Sequence, residues 1–299
     1  MRQQISFLIV AALALSGIAN AGPHGIYPTR QQRELNHVLS VPRVPPKLLY
    51  YGGPVLANVK TYSIMWGGSV DSTTQKQIGG FLSATVNSTY MDWLKEYNTT
   101  IKSVDGRQGT NQKLGRGTYV KQITITPANT SVKLDDKDIQ AEIEKQIDSG
   151  ALPKPDGNTL FMIYFPPGIS ITIDTMASCM AFCAYHEGFV SQKYGNIFYG
   201  VMPDQGGACS LGCGFSPTPF DSLTEVSSHE LIEATTDPFP TPKDKPAYPQ
   251  AWNTTDGNEI GDLCAGNATN LTTQGLTYTL QAEFDNTTGK CTTASYKSP

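Results

Sequence analysis

The 299-residue chain predicts an α/β fold, a mixed sheet in a disulfide-bonded protein with a metal-binding helix. Three observations predict it. Runs with strand composition alternate with stretches whose apolar residues recur at helical spacing. The run LFMIYF at 160–165 is apolar throughout, as in a central strand covered on both faces. SSHELIEATTDP at 227–238, followed by GNEIGDLCAG at 257–266, sets His and carboxylate residues at ligand spacing.

Residues 1–21 combine Arg2, the apolar core FLIVAALAL and Ala19-Asn20-Ala21, the pattern of a cleaved secretory leader, which would start the mature chain at Gly22. That apolar run is shorter than the roughly 20 residues a bilayer requires. No membrane span is therefore expected. Residues 22–47 are polar and then Pro-rich (Pro42, Pro45, Pro46), suiting a tail or short propeptide with little core. Residues 48–299 are expected to form a single domain.

The run 61–66, stopped by Gly67-Gly68, reads as a buried strand. Ile78, Phe81, Leu82, Val86, Tyr90, Trp93 and Leu94 then mark one amphipathic helix over 72–96. A β-rich stretch follows at 119–126. Ile139, Ile143 and Ile147 stripe a second helix, started by Asp135 or Asp136 and stopped by Gly150. Residues 169–173 and 197–202 read as strands. The motif helix is expected to open with Ser222 and Glu225 as a capping box and to end before Pro238. PFPTPKDKPAYPQ at 238–250 suits neither helix nor sheet interior and should form an ordered surface loop. Tyr278, Leu280, Ala282 and Phe284 alternate with polar residues, as in a half-exposed strand.

His229 and Glu233 stand four apart, so on a helix their side chains lie one turn above the other and can converge on an ion. Glu259 would complete three protein ligands and leave a position open, as catalytic zinc requires. Glu230 would take a proton from water activated at the ion. Asp262 would accept the other ring N–H of His229 and set its tautomer. Carboxylate in place of a second imidazole hardens the site, so manganese or calcium competes with zinc. A second polar pair, His186-Glu187, lies in CAYHEGF. His186 suits an oxyanion donor or a further ligand, and equally a structural histidine beside a disulfide. A serine or cysteine triad is improbable, because His24 and His37 fall in the tail and the cysteines are expected to be paired.

HELIEATTD with NEIGD resembles, over about 25 residues, the paired metal helices of thermolysin-like gluzincins. This resemblance implies a zincin-like metalloprotease architecture with the downstream Glu259 as third ligand. A longer resemblance spans LLYYGGPVLANVKTYSIMWGG (48–68), CAYHEGF (183–189), Cys209 with Cys213, HELIEATTDP and EIGDLC. On these segments the chain is similar to the EXORDIUM, or phosphate-induced protein, family of secreted cell-wall proteins. That likeness implies an extracellular, wall-associated protein affecting growth and assigns no reaction.

Six cysteines, an even number on an oxidising route, predict disulfides. Local closure favours Cys179 with Cys183, Cys209 with Cys213, and Cys264 with Cys291; a zinc knuckle of the first four is the lesser reading. Asn87, Asn98, Asn129, Asn253, Asn267, Asn270 and Asn286 each begin an N-x-Ser/Thr acceptor, half of the 14 asparagines, which argues for a glycoprotein with these positions on its surface. The net charge of −4, without clusters of Lys or Arg, gives no footprint for nucleic acid.

The expectation is a secreted, monomeric zinc metallopeptidase acting on peptide or protein. Its rival is a non-catalytic EXORDIUM-like protein binding wall polysaccharide or a receptor. Hydrolysis of another wall bond, such as an ester, is a smaller possibility.

Overall fold

A computed structural model describes residues 25–39, 46–213, 216–240, 245–292 and 296–297. The leader reading of 1–21 lies outside the described residues. The elements run β1 (Ile26–Pro28), α1 (Arg30–Leu39), β2 (Leu49–Tyr50), β3 (Lys60–Trp66), α2 (Ser72–Val86), α3 (Thr89–Asp92), β4 (Thr118–Ile125), β5 (Lys133–Asp135), α4 (Asp136–Asp148) and β6 (Thr159–Tyr164). They continue with β7 (Ser170–Ile173), β8 (Met176–Ala177), β9 (Phe182–Ser191), β10 (Gly195–Met202), α5 (Pro219–Thr236), β11 (Trp252–Asn253), β12 (Ala268–Thr273) and β13 (Leu276–Gln281).

The central sheet has six strands in the order β1-β9-β10-β6-β3-β4. Neighbours β10, β6, β3 and β4 are parallel, whereas β9 is antiparallel to both β10 and β1. The sheet is thus mixed, as the sequence predicts. Strand β6 shows why its run is apolar throughout. Leu160, Met162 and Tyr164 enter the core shared with α2 and α5, while Phe161 and Ile163 enter the core shared with Ile139, Ile143 and Ile147 of α4. Alternate side chains leave opposite faces, so a strand covered on both sides has no solvent-facing position.

Helix α2 starts at an Asp71 cap, whose carboxylate accepts from the amides of Thr73 and Thr74. It stops at Val86, so the single helix expected over 72–96 is corrected. Ser88 Oγ donates to Thr85 O at 2.9 Å and accepts from Tyr90 N at 3.2 Å, which ends one helix and caps the next. Tyr90 and Leu94 still face the same core, so the apolar stripe survives the break. Helix α4 begins after Asp135, one of the two expected starts, which forms a capping box with Asp138.

The expectation of little core before residue 48 is also corrected. Ile26–Pro28 pairs antiparallel with β9, and Tyr27 is fully buried. Three residues are too few for periodicity to reveal such a strand. The alternating stretch near the C-terminus buries Tyr278, Leu280, Ala282 and Phe284 as expected, but is more buried than a half-exposed strand because Gln281 and Glu283 of the polar set are buried as well.

Three disulfides link Cys179–Cys209, Cys183–Cys213 and Cys264–Cys291. Only the third pairing matches the expectation. Cys209 and Cys213 lie on one turn, with Cys213 N donating to Cys209 O, and both meet partners brought by tertiary packing at the start of β9. Closure entropy grows slowly with loop length, so a 30-residue separation is no obstacle. The surface expectation holds at the exposed Asn87, Asn267 and Asn270 and fails at Asn253, which is fully buried and donates to Asp237. No helix among the described residues is long and apolar enough to cross a membrane.

Candidate metal centre

Helix α5 carries the motif. Thr218 caps it by accepting from Asp221 N at 3.1 Å, and Pro219 takes a first-turn position where its missing N–H is not needed. The Ser222–Glu225 box is therefore corrected, because the true start lies one turn earlier. Glu225 is instead buried inside the helix and accepts from Tyr27 Oη at 2.8 Å and Ser216 Oγ at 3.1 Å. Ser222 through Thr236 are all buried, since β9, β10 and β13 pack around the helix.

His229 Nε2 stands 3.0 Å from Glu233 Oε2, the two residues one helical turn apart. The contact is not aligned as a hydrogen bond, and both atoms are buried without a hydrogen-bond partner. Glu233 Oε1 accepts from the backbone amides of Gly261 at 3.1 Å and Asp262 at 3.0 Å. The downstream segment thus docks directly on the motif helix, and the Cys264–Cys291 bridge anchors it. Glu259 is fully buried there, with neither carboxylate oxygen hydrogen-bonded.

His186 reaches the same place from β9. Its Nδ1 lies 3.1 Å from Glu230 Oε2 and 3.6 Å from Glu233 Oε2, and its Nε2 lies 3.5 Å from Glu259 Oε1. Nε2 also lies 3.1 Å from the carbonyl oxygen of Asp237. A carbonyl only accepts, so this contact assigns a proton to Nε2. Glu230 Oε1 takes the amide of Tyr27 at 3.0 Å.

Two groups of potential ligand atoms result, His186 with Glu230 and Glu233, and His229 with Glu233 and Asp262; Glu233 is common to both. Asp262 does not accept from His229 as expected. Its Oδ2 accepts the Glu259 amide at 2.9 Å, and His229 Nδ1 has no hydrogen bond. The described cavity, of about 290 Å³ beside Leu49, Ile101 and Trp252, includes none of these residues.

The electrostatics follow from burial. Burial works against protonated His229, yet Glu233, Glu230 and Glu283 carry it up to about 10. His186 is likewise raised, against burial, by Glu259 and Glu230. Burial raises Glu230, raises Glu259 well above its ordinary value, and lifts Asp237 and Asp262 to about 8. Glu233 runs the other way: burial is overcome by His229 and His186, and it stays ionised.

Sequence reasoning missed four participants. Tyr27 lay in the presumed tail. Glu283, fully buried and bonded to Tyr90 Oη, lies in the stretch read as half exposed. Asp237 presents its backbone carbonyl to His186, which no side-chain pattern reveals. Gly261 was legible as the small residue between Glu259 and Asp262. A Cβ there would fall 2.5 Å from His229 Nδ1.

Comparison of the chain with protein-family models, curated proteins and solved structures finds no match.

Proposed function

We propose that this cluster binds a divalent metal, zinc foremost with manganese or calcium as harder alternatives, and that the protein is a secreted metal-dependent hydrolase of the metallopeptidase kind. One observation carries the reading. His229 Nε2, Glu233 Oε2 and both oxygens of Glu259 are buried in one neighbourhood without hydrogen-bond partners. Such atoms are costly to bury unless something satisfies them, and a dication would also offset the surplus of buried carboxylates. One imidazole nitrogen with carboxylate oxygens fits zinc or manganese.

His229, Glu233 and Glu259 would hold the metal, which supplies Lewis-acid polarisation and a lowered water pKa. Glu230 would hold and return a proton at Oε2, a task suited to a carboxylate raised by burial. His186, raised so that it holds both ring protons, would give Nε2–H to the Asp237 carbonyl and Nδ1–H to Glu230, and its positive charge would stabilise a developing oxyanion. The α5 helix beside a mixed sheet is consistent with the zincin-like arrangement expected from HELIEATTD and NEIGD. The EXORDIUM-like segments support a wall-associated, extracellular setting, in keeping with three disulfides.

The enclosure of His186, His229, Glu230, Glu233 and Glu259 favours a second reading, a structural ion in a non-catalytic protein that binds wall glycan or a receptor. Inductively coupled plasma mass spectrometry on chelator-free protein tests the first step. About one metal per chain, lost in His229→Ala, is expected. No metal in a folded, oxidised sample would reduce the cluster to a hydrogen-bond network.

A further inference from the structure

The cavity of about 290 Å³ at the β2–β11 ribbon is lined by none of the residues of the metal centre. Its size is close to the lower end of ligand pockets, about 300 Å³. The fold holds its walls in place. Strand β11 pairs with β2 and is tied down by Asp237, whose carboxylate accepts from Ala251 N at 2.7 Å and from Asn253. Leu48, just before β2, is bonded at both backbone groups by the Asn286 amide, at 2.9 and 2.8 Å. Val104 N donates to Tyr50 O at 2.9 Å, which fixes the loop that carries Ile101 and Lys102.

The chemistry of the lining is one-sided. Its charged residues are Lys47 and Lys102, with no Asp or Glu beside them. Both lysines are exposed, and among the described residues neither enters an ion pair, whereas Lys60 and Lys193 do. The acids next to Asn286 are already used: Glu96 accepts from the amides of Asn286 and Thr287, and Asp285 from those of Thr287 and Thr288. Trp252 adds a third donor. It lines the cavity at 5% exposure, and its indole N–H is buried without a hydrogen-bond partner. Such a donor is costly to leave unmet.

The rest of the wall is apolar. The rings of Tyr50 and Trp252 lie 5.4 Å apart, and Ile101 and Val104 stand 50% and 56% exposed. The other polar side chains of the lining are engaged within the protein: Tyr50 Oη donates to Gly53 O, Ser103 Oγ to Asp105, and the Asn286 amide serves Leu48.

We propose that this cavity binds a small aromatic carboxylate, its acid group met by Lys47, Lys102 and the Trp252 indole N–H and its ring laid against the apolar wall. Two ammonium groups and an unmet donor complement an anion, and an apolar wall complements a ring. A sugar acid carries the same anion, but its hydroxyls would be buried against side chains that have no hydrogen bonds left to offer. The inference is independent of the metal and hydrolase reading.

The test titrates the full chain with naphthoate, with the neutral naphthamide of the same ring, and with digalacturonate. Calorimetry gives the affinities, and the indole N–H resonances of the three tryptophans report the contact. Saturable binding of one naphthoate per chain, with one indole resonance shifted, is expected. Naphthamide should bind about tenfold more weakly or worse. Lys47→Gln and Lys102→Gln should each weaken naphthoate about threefold or more; both positions are exposed, so the fold is kept. Absence of saturable naphthoate binding overturns the site. Equal affinity for naphthamide, or lysine variants that bind as the unaltered chain does, overturns the anion assignment. Tighter binding of digalacturonate than of naphthoate overturns the aromatic assignment in favour of a sugar acid. None of these readouts involves metal, so a chain that binds naphthoate but no zinc refutes the metal reading alone, and the converse refutes this site alone.

Discussion

Gly261 lies against the His229 ring so closely that an added Cβ would stand 2.5 Å from Nδ1 and 2.8 Å from Glu233 Oε1. Its φ of −80° is open to any residue, so the requirement for glycine is steric. Gly261→Ala should therefore push the downstream segment away from the helix. A loss of about 1–3 kcal/mol in urea unfolding is expected, with metal content reduced alongside it. Unchanged stability and metal content would show that the segment yields freely.

Glu230 accepts from Tyr27 N and approaches His186, and it is not among the expected ligands. Glu230→Gln should keep the metal measured by mass spectrometry while lowering cleavage of a quenched-fluorescence peptide library roughly a hundredfold or more. Retained cleavage in that variant would remove Glu230 from the proton-transfer role.

The disulfides can be read directly. A non-reducing peptide map should show Cys179 with Cys209 and Cys183 with Cys213. Replacing both Cys183 and Cys213 by Ser should cost roughly 2–3 kcal/mol, because with Cys179–Cys209 intact this bridge closes only the short segments between neighbouring cysteines. Recovery of Cys179–Cys183 peptides would contradict the fold at the start of β9.

Glu187, on β9 beside His186, is pushed up to about 7, chiefly by burial. A carboxyl raised in the folded state binds its proton more tightly there than in the unfolded chain. The stability it contributes is thus fully present below its ordinary value of 4.5 and is lost as pH rises toward about 7. Urea midpoints measured across that window should fall with rising pH, and Glu187→Gln should flatten the fall. A profile identical in the two proteins would exclude Glu187 as its source.

The local pattern at His229 and Glu233 needs only helical spacing, because residues one turn apart share a face whatever surrounds the helix. Strand β6 and the stripe of α4 were legible for the same reason: burial on one or two faces imposes a period on the residues themselves. By itself, then, the sequence determined the sheet-and-helix class, the motif helix and the three-residue stripe of α4. Tertiary structure decided the rest. Tyr27 meets Glu230 across a separation of 203 residues, and Cys183 meets Cys213 across 30. Asp262 places its carboxylate on the Glu259 amide instead of on His229, because the turn carrying both folds back on itself. Contacts of this kind arise from where the chain crosses itself, and no periodicity in a single segment encodes the identity of a partner brought from elsewhere.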